Sequence, residues 1–185
     1  MKYIKLSVFI ITLLTFSFYS NSQTIKNSIR WGTKEISWDD YKGKPNSPSA
    51  AVTMSVIHLG IDYPSNKEAI VTFEALFNPR TSWTRTKTNA LLIHEKGHFD
   101  IAELYTRKLR KEIRSKSFKV PTFEDELFAL HKRFCTAMDA YQDRYDSETD
   151  FSRNSEKQQL WSISIENQLE ELKEHVAYLN KIPIN

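Results

Sequence analysis

The segment His94-Glu95-Lys96-Gly97-His98 constrains this chain more than any other feature. Its pattern, H-E-x-x-H, separates two histidines by four residues. Residues four apart on an α-helix lie on one face, so both imidazoles can bind the same Zn²⁺. Glu95 can then act as general base toward a water molecule bound to that ion. The motif predicts a helix with His94 and His98 as zinc ligands and Glu95 as the catalytic carboxylate.

The alternative interpretation is a solvated helix face on which His and Glu side chains pair at short spacing. The neighbouring residues favour the metal site, because an apolar run at 91–93 leads into His94 and Phe99 and Ile101 follow the motif. Gly97 costs about 1 kcal/mol relative to Ala inside a helix. Close approach of another segment, or simple tolerance at this site, would each account for it.

Residues 1–22 have the pattern of a secretory signal peptide. Lys2 and Lys5 begin it, an apolar run at 6–19 is too short for a comfortable membrane span, and small residues precede position 23. An uncleaved membrane anchor is the alternative. We expect an exported protein, periplasmic or secreted, with one domain at 23–185 and no stable membrane insertion after cleavage.

Composition excludes some partners and some chemistry. The formal net charge is only +3 and there is no long basic run, so nucleic acid is not an expected partner. The hydrophobic content of 40% in 185 residues is sufficient for a packed core. Cys135 is the only cysteine, which excludes an internal disulfide. We expect Cys135 to be a buried apolar residue rather than a nucleophile.

After a short strand within 29–38, two longer strands are predicted before the motif. The segment 51–62 reads as a strand whose apolar phase shifts by one residue between Val56 and Ile57, which is typical of a β-bulge. The segment 70–77 reads as the return strand, with alternate apolar residues on one face. This hairpin could bind an extended peptide by strand addition.

Three helices complete the predicted fold. The motif helix begins near 86–88 and ends at about Ser115, and a second begins at Thr122 with Asp125 as its capping partner. A last helix is predicted over 155–181 from its apolar stripe. The fold class is therefore α+β, a small antiparallel β-sheet packed on a long H-E-x-x-H helix plus two further helices.

Further segments accompany the motif: Trp38-Asp39-Asp40-Tyr41-Lys42-Gly43, Ser82-Trp83, Phe99-Asp100-Ile101-Ala102-Glu103 and Tyr145-Asp146-Ser147-Glu148-Thr149-Asp150, followed by Gln159 and Trp161. In these segments the chain resembles a bacterial family of uncharacterised secreted proteins with a domain of unknown function. The resemblance covers nearly all of the mature chain and implies a zincin-like fold and a zinc-dependent protease. Phe151 is a departure, because similar sequences tend to carry a His there. If that His is a zinc ligand in the family, this chain has lost it, since Phe cannot coordinate a metal.

The third zinc ligand is left open. A metzincin-type extension needs Gly at 101 and His at 104, and Ile101 and Leu104 exclude it. A carboxylate or histidine from a following helix remains as the source. The candidates are Glu124, Glu126, His131, Asp146, Glu148 and Asp150. Each carboxylate is equally explained as a helix cap or a solvated charge, and His131 as a core histidine.

These features predict a zinc metallopeptidase that hydrolyses a peptide or protein substrate through a zinc-bound water, with Glu95 as general base. The oxyanion of the reaction needs a further hydrogen-bond donor. The candidates are Arg80, His131, Tyr141 and Tyr145. The alternative is a catalytically weak or inactive envelope binding or scaffold protein, motivated by Phe151. A helical interaction module built on 155–181 is a third hypothesis.

Overall fold

The computed structural model describes residues 27–184, so the predicted signal peptide lies outside the described residues. The strands are β1 (Ile29–Arg30), β2 (Ala51–Val52), β3 (Ser55–Ser65), β4 (Glu68–Phe77), β5 (Trp83–Thr84) and β6 (Leu179–Pro183). The α-helices are α1 (Asn89–Arg114), α2 (Phe123–Glu148) and α3 (Ser155–Glu171). The predicted α+β class, with three helices and small antiparallel sheets, is confirmed. No helix within the described range is both long and apolar enough to cross a membrane.

β4 is the central strand of the larger sheet. It pairs antiparallel with β3 along one edge, and with β1 and β6 along the other. Its alternate side chains are fully buried, namely Ala69, Val71, Phe73, Ala75 and Phe77. The predicted return strand and its buried face are therefore confirmed. These side chains form the core between the sheet and the helices.

The predicted single strand at 51–62 is wrong. The chain pairs with β5 in a separate two-stranded sheet up to Val52, and enters the larger sheet at Ser55. The irregularity within β3 lies further on, between Asp62 and Ser65. Val56 is 46% exposed and Ile57 is buried, and both pair with β4 in one continuous register. The apparent phase shift therefore comes from an exposed apolar side chain, which the period-2 pattern could not distinguish from a β-bulge.

α1 is the helix on which the rest of the fold packs. Its N-cap is Thr88, whose Oγ1 accepts a hydrogen bond from the backbone N–H of Leu91 at 3.2 Å. It ends at Arg114, within one residue of the predicted end. The helix contacts the larger sheet as well as α2 and α3. The motif therefore lies near the first turn of a helix that is held on three sides.

The predicted capping pair of α2 is wrong. Thr122 makes no capping hydrogen bond to the backbone, and its hydroxyl instead donates to Glu126 Oε1 at 2.6 Å. The helix nevertheless begins at Phe123, as expected. It continues to Glu148, so Asp146 lies in its last turn.

The predicted last helix, 155–181, is too long. α3 ends at Glu171, and the chain returns as β6 beside β4. Arg110 and Arg114 donate hydrogen bonds to backbone carbonyls within 174–177. A continuing helix would need those carbonyls for its own hydrogen bonds, so the arginines stabilise the extended exit.

Candidate metal centre

α1 and α2 bring together two histidines and one carboxylate. Nε2 of His94 and Nε2 of His98 each lie 3.0 Å from Oδ1 of Asp146. The two imidazole rings are 5.0 Å apart and nearly perpendicular, at 89°. One donor atom from each of the three residues lies within 4.8 Å of the others, and residues 27–184 contain no other such group. We call these residues the His-His-Asp cluster.

Two glutamines hold the outer nitrogens of the histidines. Nδ1 of His94 lies 3.0 Å from Oε1 of Gln158, and Nδ1 of His98 lies 2.7 Å from Oε1 of Gln142. A carboxamide oxygen can only accept a hydrogen bond, so each Nδ1 carries a proton and each Nε2 faces Asp146. Ligand histidines in metal sites are oriented in this way by an acceptor on the second nitrogen.

Tyr145 packs directly against the cluster. Its ring stacks on His94 with centroids 4.6 Å apart and planes at 11°, and its hydroxyl donates to the backbone carbonyl of His94 at 3.0 Å. Gln158 Nε2 donates to the same hydroxyl at 2.7 Å. Tyr145 packs so closely against Gly97 that a Cβ atom at position 97 would overlap the tyrosine side chain. Close approach of another segment therefore explains the glycine.

Glu95 is held by the hydroxyl of Thr53, which in turn is bonded to the hydroxyl of Tyr41. Thr53 Oγ1 donates to Glu95 Oε2 at 2.7 Å and lies 2.6 Å from the hydroxyl of Tyr41. Because the single hydroxyl proton of Thr53 goes to the carboxylate, Tyr41 donates to Thr53. Burial raises the pKa of Tyr41 far above its ordinary value of 10.0, which keeps this hydroxyl a donor. The carboxylate therefore has a fixed position.

The His-His-Asp cluster and Glu95 line one open cleft of about 890 Å³. One wall is the segment 48–53, which includes β2. The other side is lined by Asp139 and Asp143 of α2, and the arginines Arg85 and Arg153 also line the cleft. The candidate metal centre is thus accessible to a ligand larger than water.

Asp146 and His98 form an ion pair in the absence of a metal. Burial alone would lower the pKa of His98, but the hydrogen bond and the charge of Asp146 outweigh it and raise that pKa above 6.5. Burial alone would raise the pKa of Asp146, but hydrogen bonds from His94 and His98 hold it far below 3.8. A bound cation would take the place of the proton on His98 Nε2.

Asp146 is the candidate third ligand that the structure brings to the histidines. The other five candidates have partners elsewhere: Tyr63 for Glu124, Thr122 for Glu126, the Ile57 carbonyl for His131, Trp161 for Glu148 and Arg153 for Asp150. The carboxylate in the last turn of α2 therefore completes a set of three donors.

Phe151 lies on the rim of the cleft. It is 58% exposed and has a φ of 51°, between Asp150 and Ser152, which also have positive φ values. Such backbone conformations are uncommon for residues other than glycine. Because Asp146 supplies a third donor, the absence of a His at position 151 does not leave the two histidines alone.

The four candidate oxyanion donors are Arg80, His131, Tyr141 and Tyr145. None of them lines the cleft that the described residues form. The hydroxyl of Tyr145 is already used by His94 and Gln158. The sequence interpretation also missed Gln142, Gln158 and Thr53. Gln142 had a usable signal, because it precedes Asp146 by four residues and so shares its face of α2.

The fold and the site together define an α+β protein with two histidines and an aspartate positioned as potential metal ligands in an open cleft. The chain belongs to the family described as "Bacterial protein of unknown function (DUF922)", whose model matches residues 20–153. The matched region contains the His-His-Asp cluster and Glu95. Comparison with curated proteins and with solved structures found no match.

Proposed function

We propose that this protein is a zinc-dependent metallopeptidase with a zincin-like catalytic helix. The observation that supports it is the convergence of His94, His98 and Asp146 on one point beside Glu95. Two imidazole nitrogens and one carboxylate oxygen are a donor set used by catalytic zinc sites, which keep a fourth position for water or substrate. The protonated outer nitrogens fit this role, because they leave Nε2 of each ring free for the metal.

Bound zinc would supply a Lewis acid that lowers the pKa of water and polarises the scissile carbonyl. Glu95 takes a proton from the attacking water and later gives it to the leaving amine. Thr53 holds Oε2 of Glu95, and within the described residues no group holds Oε1. We infer that Oε1 is the oxygen that carries the proton.

The wall of the cleft at 48–53 fits an extended peptide substrate. β2 pairs with β5 along one edge and has no strand partner on its other edge within residues 27–184. A peptide could therefore bind by strand addition. Of the hairpin predicted for this role, formed by 51–62 and 70–77, residues 51–53 line the cleft and β3 and β4 contribute no residue to it. We therefore propose that the free edge of strand β2 binds the peptide.

The scaffold alternative was motivated by the lack of an identifiable third ligand and by Phe151. Asp146 now supplies a candidate for that ligand. We therefore favour the enzyme over a catalytically inactive binding protein.

The proposal is tested by measuring metal content and hydrolysis on the same preparation. Purified protein is dialysed and analysed for zinc, and its cleavage of casein is followed with chelator and after zinc is restored. We expect close to one zinc per chain, and cleavage that chelator abolishes and zinc restores. The variant His94→Ala should lose both zinc and cleavage, whereas His131→Ala, which changes a histidine outside the cleft, should keep both. Zinc-free protein, or cleavage that survives chelation, would contradict the proposal.

A further inference from the structure

We propose that Arg85 determines substrate specificity by binding a substrate carboxylate about three residues beyond the scissile bond, on the C-terminal side of that bond. The inference rests on the proposed peptidase function and on peptide binding at the free edge of β2. The carboxylate belongs either to an acidic side chain or to the end of the peptide itself. A guanidinium group binds both kinds of carboxylate in the same way.

Arg85 is a cation in the cleft without an acidic partner. Two arginines line the cleft, Arg85 and Arg153. Arg153 donates to both carboxylate oxygens of Asp150, at 2.9 Å and 2.6 Å, so its charge is already compensated. Within residues 27–184, Arg85 forms no ion pair, and its one side-chain hydrogen bond goes to the backbone carbonyl of Ser47. A substrate carboxylate can therefore pair with Arg85 without displacing a carboxylate of the protein.

The guanidinium of Arg85 is held by two contacts. Its Nη2 donates to the carbonyl of Ser47 at 2.9 Å, and its Cζ lies 5.5 Å from the ring centroid of Trp83. Trp83 is 1% exposed, so its ring is a fixed support. A guanidinium that is already positioned loses less side-chain entropy when it binds a ligand. The group has five N–H donors, and those not used by Ser47 have no partner among the described residues.

The opposite wall of the cleft has the opposite charge. It contains Asp139 and Asp143 of α2, which are exposed and form no ion pair within residues 27–184. These two side chains repel a substrate carboxylate, whereas Arg85 attracts it. Arg85 is bonded to the wall at 48–53 through the backbone carbonyl of Ala50. An acidic group of a bound peptide is therefore directed to the end of this wall where Arg85 lies.

Strand pairing places Arg85 away from the reacting atoms. Its backbone N–H donates to the carbonyl of Ala50 at 2.7 Å, so the two residues are level with each other. Thr53, which bonds Glu95, is three residues further along, or about 10 Å in an extended strand. The guanidinium contacts Ser47, on the other side of Ala50 along the chain. Arg85 is therefore too distant to stabilise the oxyanion, and it meets a substrate residue about three positions from the scissile bond.

The direction of the bound peptide follows from strand pairing. Antiparallel strands pair more stably per residue than parallel ones, so we expect the peptide to run opposite to β2. The carbonyl of Ala50 faces β5, so the backbone groups of Ala51 face the free edge of β2. The peptide then runs from the level of Thr53 toward the level of Ala50. Arg85 therefore contacts the part of the peptide that is C-terminal to the scissile bond.

Five peptides that differ in charge at this position test the proposal. The parent copies a casein bond that the wild-type protein cleaves, with Gln as the third residue after that bond and an amidated C-terminus. A second peptide has Glu at this residue and a third has Lys. A fourth peptide ends at this residue with a free carboxylate, and the fifth is the amide of the fourth.

We expect kcat/KM of the wild-type protein to be roughly 5–10-fold higher for a peptide with the carboxylate than for its neutral match. A gain for the Glu peptide identifies an acidic side chain as the ligand. A gain for the free acid over its amide identifies the end of the peptide. Equal kcat/KM within both pairs would overturn the proposal.

Substitutions at Arg85 show whether this residue causes the preference. Arg85→Gln should remove it, and Arg85→Glu should reverse it in favour of the Lys peptide. Lys87→Gln is the matched control, because Lys87 is exposed, carries the same charge and does not line the cleft. This variant should keep the preference of the wild-type protein. Zinc affinity should be unchanged in all three variants, because neither residue touches a proposed ligand.

Peptide binding provides a readout that does not depend on the chemical step. The same peptides are titrated into zinc-loaded Glu95→Gln protein, and their Kd values, from fluorescence anisotropy, should show the same preference. At about 1 M salt, where the screening length is about 3 Å, the preference should disappear. A preference that survives Arg85→Gln, or that Lys87→Gln removes equally, would overturn the role of Arg85 while cleavage stands. A wild-type protein that cleaves no peptide would instead overturn the peptidase function and this inference with it.

Discussion

Gly97 of α1 and Tyr145 of α2 fit together so closely that a Cβ atom at position 97 would lie 2.8 Å from Cζ of the tyrosine and overlap its hydroxyl oxygen. Tyr145 is fully buried between His94 and Trp161, so it cannot move away without disturbing both rings. The glycine therefore sets the distance between the two helices that carry the candidate metal ligands.

Gly97→Ala should destabilise the protein and weaken zinc binding. Alanine would gain about 1 kcal/mol of helix propensity, but overpacking of a buried site typically costs about 1–3 kcal/mol. We expect a net loss of roughly 1 kcal/mol in the free energy of unfolding, measured by urea denaturation. Gly60→Ala is the control, because a Cβ there has its nearest neighbour at an ordinary 3.6 Å. A more stable Gly97→Ala protein would show that Tyr145 can move freely.

Asp146→Ala should remove one of the three proposed ligands. We expect zinc affinity to fall by roughly 100-fold or more, beyond the effect typical of residues that only orient a ligand. Glu126→Gln is the matched control, because this carboxylate lies on the same helix and its one hydrogen bond within residues 27–184 is to Thr122. Isothermal titration calorimetry with zinc measures the zinc affinity of each variant. Equal affinities of the two variants would remove Asp146 from the site.

Glu95→Gln should keep zinc and lose hydrolysis. The amide retains an oxygen that can accept the hydrogen bond from Thr53, but it cannot take a proton from water. We expect kcat to fall by at least about 100-fold, since general base catalysis contributes roughly that much. Zinc content by elemental analysis serves as the internal control. Undiminished cleavage would exclude Glu95 as the base.

Thr53→Val should reduce turnover without affecting the metal. Valine has nearly the same shape, but it removes the donor to Glu95 Oε2 and leaves the hydroxyl of Tyr41 without its acceptor. We expect kcat to fall about tenfold, as for the loss of roughly 1.4 kcal/mol of positioning. Zinc affinity should be unchanged, because Thr53 touches no proposed ligand. An equal loss of zinc affinity would mean that the substitution disturbs the whole site.

The stability of the metal-free protein should fall as pH rises above 6.5. The pKa of His98 is raised in the folded state, so its stabilising effect is complete below its ordinary value of 6.5 and is lost as pH rises through the raised pKa. The pKa of Asp146 is lowered, so its effect is present above 3.8 and lost only in stronger acid. Zinc needs deprotonated His98, so the gain in Tm on adding zinc should grow from pH 5 to pH 8. Thermal denaturation with chelator or zinc measures this, and a gain independent of pH would exclude His98 as a ligand.

The parts of the fold that depend on local chemistry were predictable from the sequence. The predicted start near 86–88 and end at about Ser115 agree with α1, whose N-cap is Thr88 and whose last residue is Arg114. The helical turn at Trp38–Asp40 is also explained by local sequence, because Ser37 and Asp40 have the spacing of a capping box and form its reciprocal hydrogen bonds. The two-residue strand β5 and the C-terminal strand β6 were missed, because their pairing depends on distant partners rather than on local pattern.

Part of the site was also predictable, because three of its residues are close together in the sequence. His94, Glu95 and His98 share one helix turn, so their spacing alone places them together. Asp146 lies 52 residues away from His94, and nothing local distinguishes it from the other acidic candidates. Only the packing of α2 against α1 selects it. Gln158 could not be predicted from the sequence, because glutamine is an ordinary surface residue in most helices, whereas the four-residue spacing of Gln142 from Asp146 was a usable signal.

The contact between His94 and Asp146 has a consequence for how the folded chain resists degradation. With a single cysteine, the protein has no internal disulfide to protect it from degradation. A zinc ion between α1 and α2 would act as a staple, closing a loop of 52 residues and joining two helices that are far apart along the chain. The resistance of the protein to proteolysis would then depend on metal supply, and an organism that withholds zinc would shorten the lifetime of the protein.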